Sequence, residues 1–231
     1  MYKMEKLVSV IMSVYNDEAN IGNAITSILN QTYKNLELLI LDDGSTDGSL
    51  TICELYQKKD KRIKVFKNDV NLGLTNSLNT LIGESNGEYI ARQDSDDVSI
   101  KYRIKKQIDF MNKYSLDASS SRAQIKDKNR MIPKYSHYLP IAFVLKYKNP
   151  IIHGTLIVKS EVFKKIGKYD ESYIFSQDYE LMTRLQMANL TMKICKDSLY
   201  ILNMKENISS IQKGPQEKYA KKARQKYRKN L

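Results

Sequence analysis

The chain of 231 residues and 26.8 kDa is long enough for a sizeable core, and a domain size of roughly 100–200 residues favours one large domain with an appended tail over two domains. With 42% hydrophobic and 28% charged residues, 4 Pro and 9 Gly, it is neither collagen-like nor of low complexity. The net charge of +12 raises nucleic acid or an anionic membrane as partners, but nine Lys or Arg against two Glu lie between Lys205 and Leu231. Seven of the twelve charges therefore sit in the tail, and the body is only mildly basic.

The first elements alternate. Leu7–Met12 is a β-branched apolar run without helical period, read as a buried parallel strand that ends at Tyr15-Asn16-Asp17. Asn20 is an N-cap residue, and Ile21, Ala24, Ile25, Ile28 and Leu29 follow at helical spacing. Leu36–Leu41 reads as a second strand, Asp42–Gly48 as a loop and Ser49–Lys58 as a helix; Ile63–Phe66 as a third strand, Asn71-Leu72-Gly73 as a loop and Thr75–Glu84 as a helix; Glu88–Arg92 as a fourth strand running into Asp94-Ser95-Asp96-Asp97. Such alternation predicts an open parallel α/β sheet with right-handed crossovers, which binds ligands outside the carboxyl ends of its strands. Tyr15-Asn16-Asp17, Asp42-Asp43, Asn71 and Asp94–Asp97 should gather on that edge.

After Asp97 the alternation is lost. Arg103–Tyr114 is an amphipathic helix, and 115–129 is a polar stretch with no assigned element. Ile151–Val158 resembles a strand, Ser160–Ile166 a short helix, and Tyr179–Met187 a helix entered from Gln177-Asp178. Leu7–Tyr15 is far shorter than the roughly 20 apolar residues of a membrane span and carries no signal-cleavage pattern, which sets the expectation of a cytoplasmic protein. Cys53 and Cys195 are too few for a disulfide scaffold, and with two His at unrelated spacings they give no zinc pattern; both are expected buried.

Asp at a strand end is a common turn former, and for Asp42 that reading stands beside a binding role. Asp94, Asp96 and Asp97 are different: three carboxylates within four residues repel one another unless a cation lies between them, and a hard divalent ion held by one or two carboxylates and substrate phosphates answers that. No Walker sequence, no glycine fingerprint opening a helix and no nucleophile elbow is present.

Val10–Asn16, Leu41–Asp47, Asn71–Leu74 and Ala91–Asp97, continued by Ile152–Thr155, Gly167–Glu171 and Gln177–Leu181, resemble in order the signatures of the inverting family 2 glycosyltransferases with the GT-A fold, over about residues 6–205. The resemblance implies an α/β, GT-A nucleotide-diphospho-sugar transferase fold, an open and mostly parallel sheet flanked by helices, with a catalytic domain at 1–205 and a basic, helical tail at 206–231. It implies a nucleotide-sugar donor, UDP-linked by preference, a glycan or lipid-linked glycan acceptor, and surface-polysaccharide assembly as the setting.

By that resemblance Ser13 and Tyr15 lie beneath the nucleotide base, Asp42 accepts from its imide, and Asn71 and Arg92 join the donor site. Asp94-Ser95-Asp96 is the Asp-x-Asp motif, with Asp94 near the ribose and Asp96, with Asp94, on a Mn²⁺ or Mg²⁺ ion. Asp178 stands at the general-base position; its bland alternative is an N-cap of the helix at Tyr179. Tyr15 has the alternative of a packed core tyrosine. His153 either faces the acceptor or is a satisfied structural histidine. The chain departs from the family in having Gln177 before Asp178 and in lacking an Arg-x-His element at Tyr200–Met204, whose place basic tail residues could fill. The tail is expected to rest on the anionic inner face of a membrane, against the alternative of a solvated terminus; a nucleic-acid-binding module built on it is the rival reading, weakened by a body without any recognised reading motif.

Overall fold

A computed structural model describes residues 5–204 and 213–230. The first stretch of the expected tail, 206–212, and residue 231 lie outside the described residues.

The first half forms as the apolar pattern dictates: β1 (Val8–Val14), α1 (Ile21–Leu29), β2 (Leu36–Asp42), α2 (Ser49–Lys59), β3 (Ile63–Lys67), α3 (Leu74–Glu84) and β4 (Tyr89–Arg92). Then come β5 (Val98–Ser99), α4 (Arg103–Lys113), β6 (Ala118–Ile125), β7 (Met131–Ile132), α5 (Ile141–Val144), β8 (Ile157–Lys159), α6 (Ser160–Ile166), α7 (Gln177–Met187), β9 (Met192–Leu202) and α8 (Lys213–Lys229). One sheet runs β3-β2-β1-β4-β8-β6-β9-β5, with β7 on β6. The β3-β2-β1-β4 half is parallel, so the carboxyl ends of these four strands share one edge; β8 pairs antiparallel with both β4 and β6, and β6 runs parallel to β9.

Side chains alternate across the sheet, and each face has its own core. Val8, Val10 and Met12 of β1 pack with Leu38 and Ile40 of β2 against α1 and α4. Ile11, Leu39 and Leu41 face the other way, with α3, α6 and α7, and the core on that side extends to Ala223 and Tyr227 of α8. Among the described residues no helix is long and apolar enough to cross a membrane. Both cysteines are free and buried, and burial pushes the Cys53 thiol up to about 12.

Three features depart from the sequence reading. The polar stretch contains β6, an inner strand whose Ser119, Ser120 and Ser121 are fully buried; Ser119 Oγ accepts from Gln107 Nε2 at 3.2 Å and Ser120 Oγ lies 2.7 Å from Thr155 Oγ1. Small hydroxyls allow close approach and satisfy one another, so this strand carries little apolar signal. Ile151–Val158 is not one strand: His153–Thr155 is a 3-10 turn closed by Thr155 N–H and Leu156 N–H donating to Ile152 O and His153 O, and only Ile157–Lys159 joins the sheet. Asn20 precedes α1 without a side-chain cap; its Nδ2 donates to Asp17 Oδ1 at 2.6 Å.

Candidate active site

The loops after β1, β2 and β3 are laced together at the shared edge. Asn16 N–H donates to Ser45 Oγ (3.0 Å), Thr46 N–H to Asn16 Oδ1 (2.8 Å) and Asp17 N–H to Ser49 Oγ (2.8 Å). The two adjacent acids after β2 divide the work. Asp43 is consumed by structure, accepting from Asn68 Nδ2, Leu72 N–H and Gly73 N–H at 2.7–3.0 Å. Between these loops Gly44, at φ 75°, comes so close that an added Cβ would lie 2.6 Å from the Val70 carbonyl carbon. Asp42 is buried, accepts Ser45 N–H on Oδ1 at 3.0 Å and keeps Oδ2 unpartnered. A buried acceptor without a donor costs free energy unless a ligand supplies one. Ser13 is half-buried in β1, Asn71 is exposed, and Tyr15 is 49% exposed at the strand end rather than packed in the core.

After β4 the acidic turn is held from behind by cations. Arg92 is buried, donates to the Gln93 carbonyl and, at 2.5 Å, to Asp94 Oδ1, and leaves Nε unpartnered. Arg103, fully buried at the start of α4, donates to Gln93 Oε1 (2.9 Å), Ser99 Oγ (2.7 Å) and Arg92 O (2.6 Å), and stacks 5.1 Å from the Tyr200 ring. Burial, then the charges of Asp94 and Asp17, push the Asp96 carboxyl up to about 6. Burial and the same crowding raise Asp97 well above the usual carboxylate range. Asp17 Oδ2, also buried, has no partner.

Among the described residues no three or more His, Cys, Asp or Glu side chains form a protein-only metal cage. One or two carboxylates crowded enough to favour a counter-ion are nevertheless the donor set that a magnesium-like ion shares with substrate oxygens. Asp96 and Asp94 fit such an ion.

The second half of the sheet brings its own groups to this turn. Gly154 lies against it, so close that an added Cβ would sit 2.3 Å from Asp94 Oδ2 and 2.4 Å from Tyr200 Oη, which also accepts Asp94 N–H at 3.0 Å. His153 Nε2 lies 2.8 Å from Tyr169 Oη, and burial and the Arg92 charge lower its pKa to about 3, so the imidazole is neutral. Asp178 lies in the first turn of α7, with Ser176 at the N-cap position, and its carboxylate interacts with the backbone N–H groups of Asp178 and Tyr179, a capping contact that is compatible with a second role. Its Oδ2 accepts from Asn149 Nδ2 at 2.6 Å, and burial pushes its carboxyl up to about 6, with the Asp94 charge adding to the rise.

Arg92, Asp94, Asp96, His153 and Asp178 thus occupy one electrostatic neighbourhood. Sequence reasoning placed Asp17 at the shared edge but gave it no role, and it missed Asn149, Arg103 and Tyr200 as parts of the neighbourhood. Asp17 had a signal in its place directly after the first strand; the others act through tertiary contact alone. Three cations of the tail are engaged away from the acidic turn: Arg224 with Tyr147 O, Arg228 with Lys146 O and Lys226 with Glu180.

Residues 9–169 match the family described as Glycosyl transferase family 2. An uncharacterized glycosyltransferase of Haemophilus influenzae is 34% identical over 193 residues, covering 78% of this chain and 60% of that protein. The UDP-Glc:alpha-D-GlcNAc-diphosphoundecaprenol beta-1,3-glucosyltransferase WfgD of Escherichia coli is 31% identical, covering 79% of this chain and 71% of that protein. The structure of S. aureus TarS 1-349 in complex with UDP-GlcNAc superposes with a TM-score of 0.74 at 22% identity, covering 87% of this chain and 59% of that one. The GT-A fold is thereby shown. The chain spans about 60% of the length of the first curated relatives it matches.

Gly154→Ala is expected to cost about 1–3 kcal/mol through overpacking against the acidic turn, which at about 2–4 °C per kcal/mol for a chain of this size lowers the melting temperature by about 2–12 °C. Thermal unfolding checks it, and an unshifted midpoint would mean that the turn yields freely.

Proposed function

The chain belongs to glycosyl transferase family 2, and from that premise we propose that it transfers one hexose or N-acetylhexosamine from a nucleotide-sugar donor, UDP-linked by preference, to a hydroxyl of a glycan or lipid-linked glycan, with inversion, in surface-polysaccharide assembly. The observation that carries this reading is Asp178, a carboxylate with a raised pKa held by Asn149 beside the acidic turn. The name of the WfgD relative, a glucosyltransferase acting on a diphosphoundecaprenol-linked sugar, supports the donor and acceptor class.

In this reading the free Oδ2 of Asp42 accepts the imide N–H of uracil, and the exposed Tyr15 ring stacks on the base above Ser13. Asn71 lies at the same mouth. Arg92 fixes Asp94 toward the ribose. Asp96, with Asp94, would hold a Mn²⁺ or Mg²⁺ ion, which when bound supplies Lewis-acid stabilisation of the departing diphosphate. Asp178 takes the proton of the acceptor hydroxyl as that oxygen attacks the anomeric carbon; the new C–O bond forms on the face opposite the breaking bond to the UDP oxygen, so the configuration inverts. His153, neutral and bonded to Tyr169, forms part of the acceptor-side wall and is not the group that takes the acceptor's proton.

The base must be ionised to act. With the Asp178 pKa at about 6, kcat should be level above that pH and fall about tenfold per unit below it. Asp178→Asn should lower kcat by about 10²–10⁴-fold while UDP affinity, read by calorimetry, stays unchanged. Equal losses of both would reduce Asp178 to a structural role.

The metal assignment is tested separately. EDTA and Asp96→Ala should each abolish Mn²⁺-dependent UDP binding, and Cys53→Ala should not. Full transfer in EDTA would remove the ion from the reading.

A lipid-linked acceptor makes residence on the cytoplasmic face of an anionic membrane useful, and the exposed surface supports it. Lys218, Lys221, Lys222 and Lys229 are exposed on α8, while Tyr138, Phe143 and Tyr147 are 50–74% exposed on the segment beside it. Each Lys near such a surface is worth on the order of 1 kcal/mol, and aromatic side chains favour the headgroup level. Lys218→Glu/Lys221→Glu/Lys229→Glu should therefore abolish co-sedimentation with phosphatidylglycerol liposomes in moderate salt. Undiminished co-sedimentation would sink the membrane assignment.

A further inference from the structure

We propose that α8 is a positioning element for Asp178: it ties together the two chain segments whose meeting makes the Asn149–Asp178 hydrogen bond. This inference rests on the reading of Asp178 as the base.

Asn149 lies in no helix or strand. Its side-chain oxygen accepts Ile151 N–H at 3.1 Å, which turns its amide nitrogen toward Asp178. The three residues before it continue the turn after α5, their N–H groups donating to Phe143 O and Val144 O at 2.9–3.2 Å, and the carbonyls of Lys146 and Tyr147 are taken up by α8. Arg228 Nε donates to Lys146 O (2.7 Å) and Arg224 Nη1 to Tyr147 O (2.8 Å), so α8 grips the two carbonyls that approach Asn149. Tyr227 Oη donates to Ala142 O at 3.2 Å, anchoring the start of the same segment.

On the other side, Ser176 precedes α7 in the left-handed conformation, at φ 54°, which a residue with a Cβ adopts only when its surroundings impose it. Its hydroxyl donates to Gln216 O of α8 at 3.0 Å. One turn further on, the fully buried Glu180 pairs with Arg184 at 2.7 Å and with Lys226 of α8 at 3.4 Å. Between these two grips, Ala223 and Tyr227 fill the core against α7 and Leu145. The apolar side of α8 is thus spent on this junction, and its remaining lysines are left outside.

A helix that merely adds buried surface would, when weakened, lower the melting temperature and leave a folded enzyme with normal kcat. A positioning helix would lower kcat in the folded enzyme without touching donor affinity. The test uses the full chain and the variant Arg224→Ala/Arg228→Ala, which removes the two carbonyl grips and leaves Ala223 and Tyr227 in place. Hydrogen exchange followed by mass spectrometry should show faster exchange in peptides spanning 145–152 and 176–180 together, with β1 and β2 unchanged. UDP release from the UDP-sugar that a donor panel selects should show kcat reduced about tenfold at unchanged donor KM.

Arg224→Lys/Arg228→Lys, which keeps a donor at each position, should recover most of that rate. Lys58→Ala/Lys59→Ala on α2, exposed and matched in lost charge, should not lower it. Asn149→Ala combined with Arg224→Ala/Arg228→Ala should be little worse than Asn149→Ala alone, because both act on one hydrogen bond.

Unchanged exchange in the two peptides overturns the inference, as does wild-type kcat in Arg224→Ala/Arg228→Ala or full additivity with Asn149→Ala. If Asp178→Asn is inactive while Arg224→Ala/Arg228→Ala is normal, only this inference falls. If Asp178→Asn turns over normally, the base reading falls and this one with it.

Discussion

Asp17, Asp94, Asp96 and Asp97 converge on one edge of the sheet, and the energy of keeping their charges close governs how that edge is built. Mutual repulsion and burial act in the same direction, which is why Asp96 and Asp97 are both raised. A direct salt bridge to each would relieve the crowding but would also use up the oxygens. The fold instead grants one direct partner, Arg92 to Asp94, and keeps the second cation, Arg103, behind the turn on neutral acceptors. A guanidinium buried without a carboxylate is tolerable only because its donors are satisfied; Gln107 on the same helix takes Nε, and the other acceptors are Gln93, Ser99 and the Arg92 carbonyl, the residues flanking the acidic turn. The cation that lowers the repulsion therefore also sets the turn's shape.

Three of the first four strands were legible because parallel strands buried on both faces need largely apolar runs, and Val8–Val14, Leu36–Asp42 and Tyr89–Arg92 supply them; β3, at the sheet edge, is only partly buried and was read from its short β-branched and aromatic run. Their shared carboxyl edge followed from that, and with it the gathering of Tyr15, Asp42 and Asp94–Asp97. β6 was not legible. Its buried face is made of serines whose partners, Gln107 and Thr155, are distant in sequence, and a hydroxyl satisfied across the sheet looks in the sequence like one satisfied by water. Arg103 was hidden for the same reason: Arg at the start of an amphipathic helix reads as a solvated charge until Gln93 and Ser99 are seen to meet it.

The division between Asp42 and Asp43 shows a different limit. Two adjacent acids on a strand end are chemically equivalent in sequence, and the pleat separates them: one side chain turns to the β3 loop and finds three donors, while the other finds one and keeps an oxygen free. Alternation along a strand predicts that neighbours face different surroundings. Which surroundings hold donors depends on where the Asn68–Gly73 loop crosses.

The two halves of the sheet meet where β4 pairs with β8, and that seam decides how closely the acidic turn and α7 can approach. A residue larger than glycine at 154 would push the turn away from Tyr200, and bulky residues in β6 would lift the His153–Thr155 turn off the sheet. Small side chains at Gly154, Ser120 and Ser121 therefore do for the seam what apolar side chains do for the core: they set a distance. With that distance short, the Asp94 charge is felt at Asp178. The raised Asp178 pKa is then a consequence of tight packing between the halves, because the same close approach that removes water from Asp178 also brings a second carboxylate toward it.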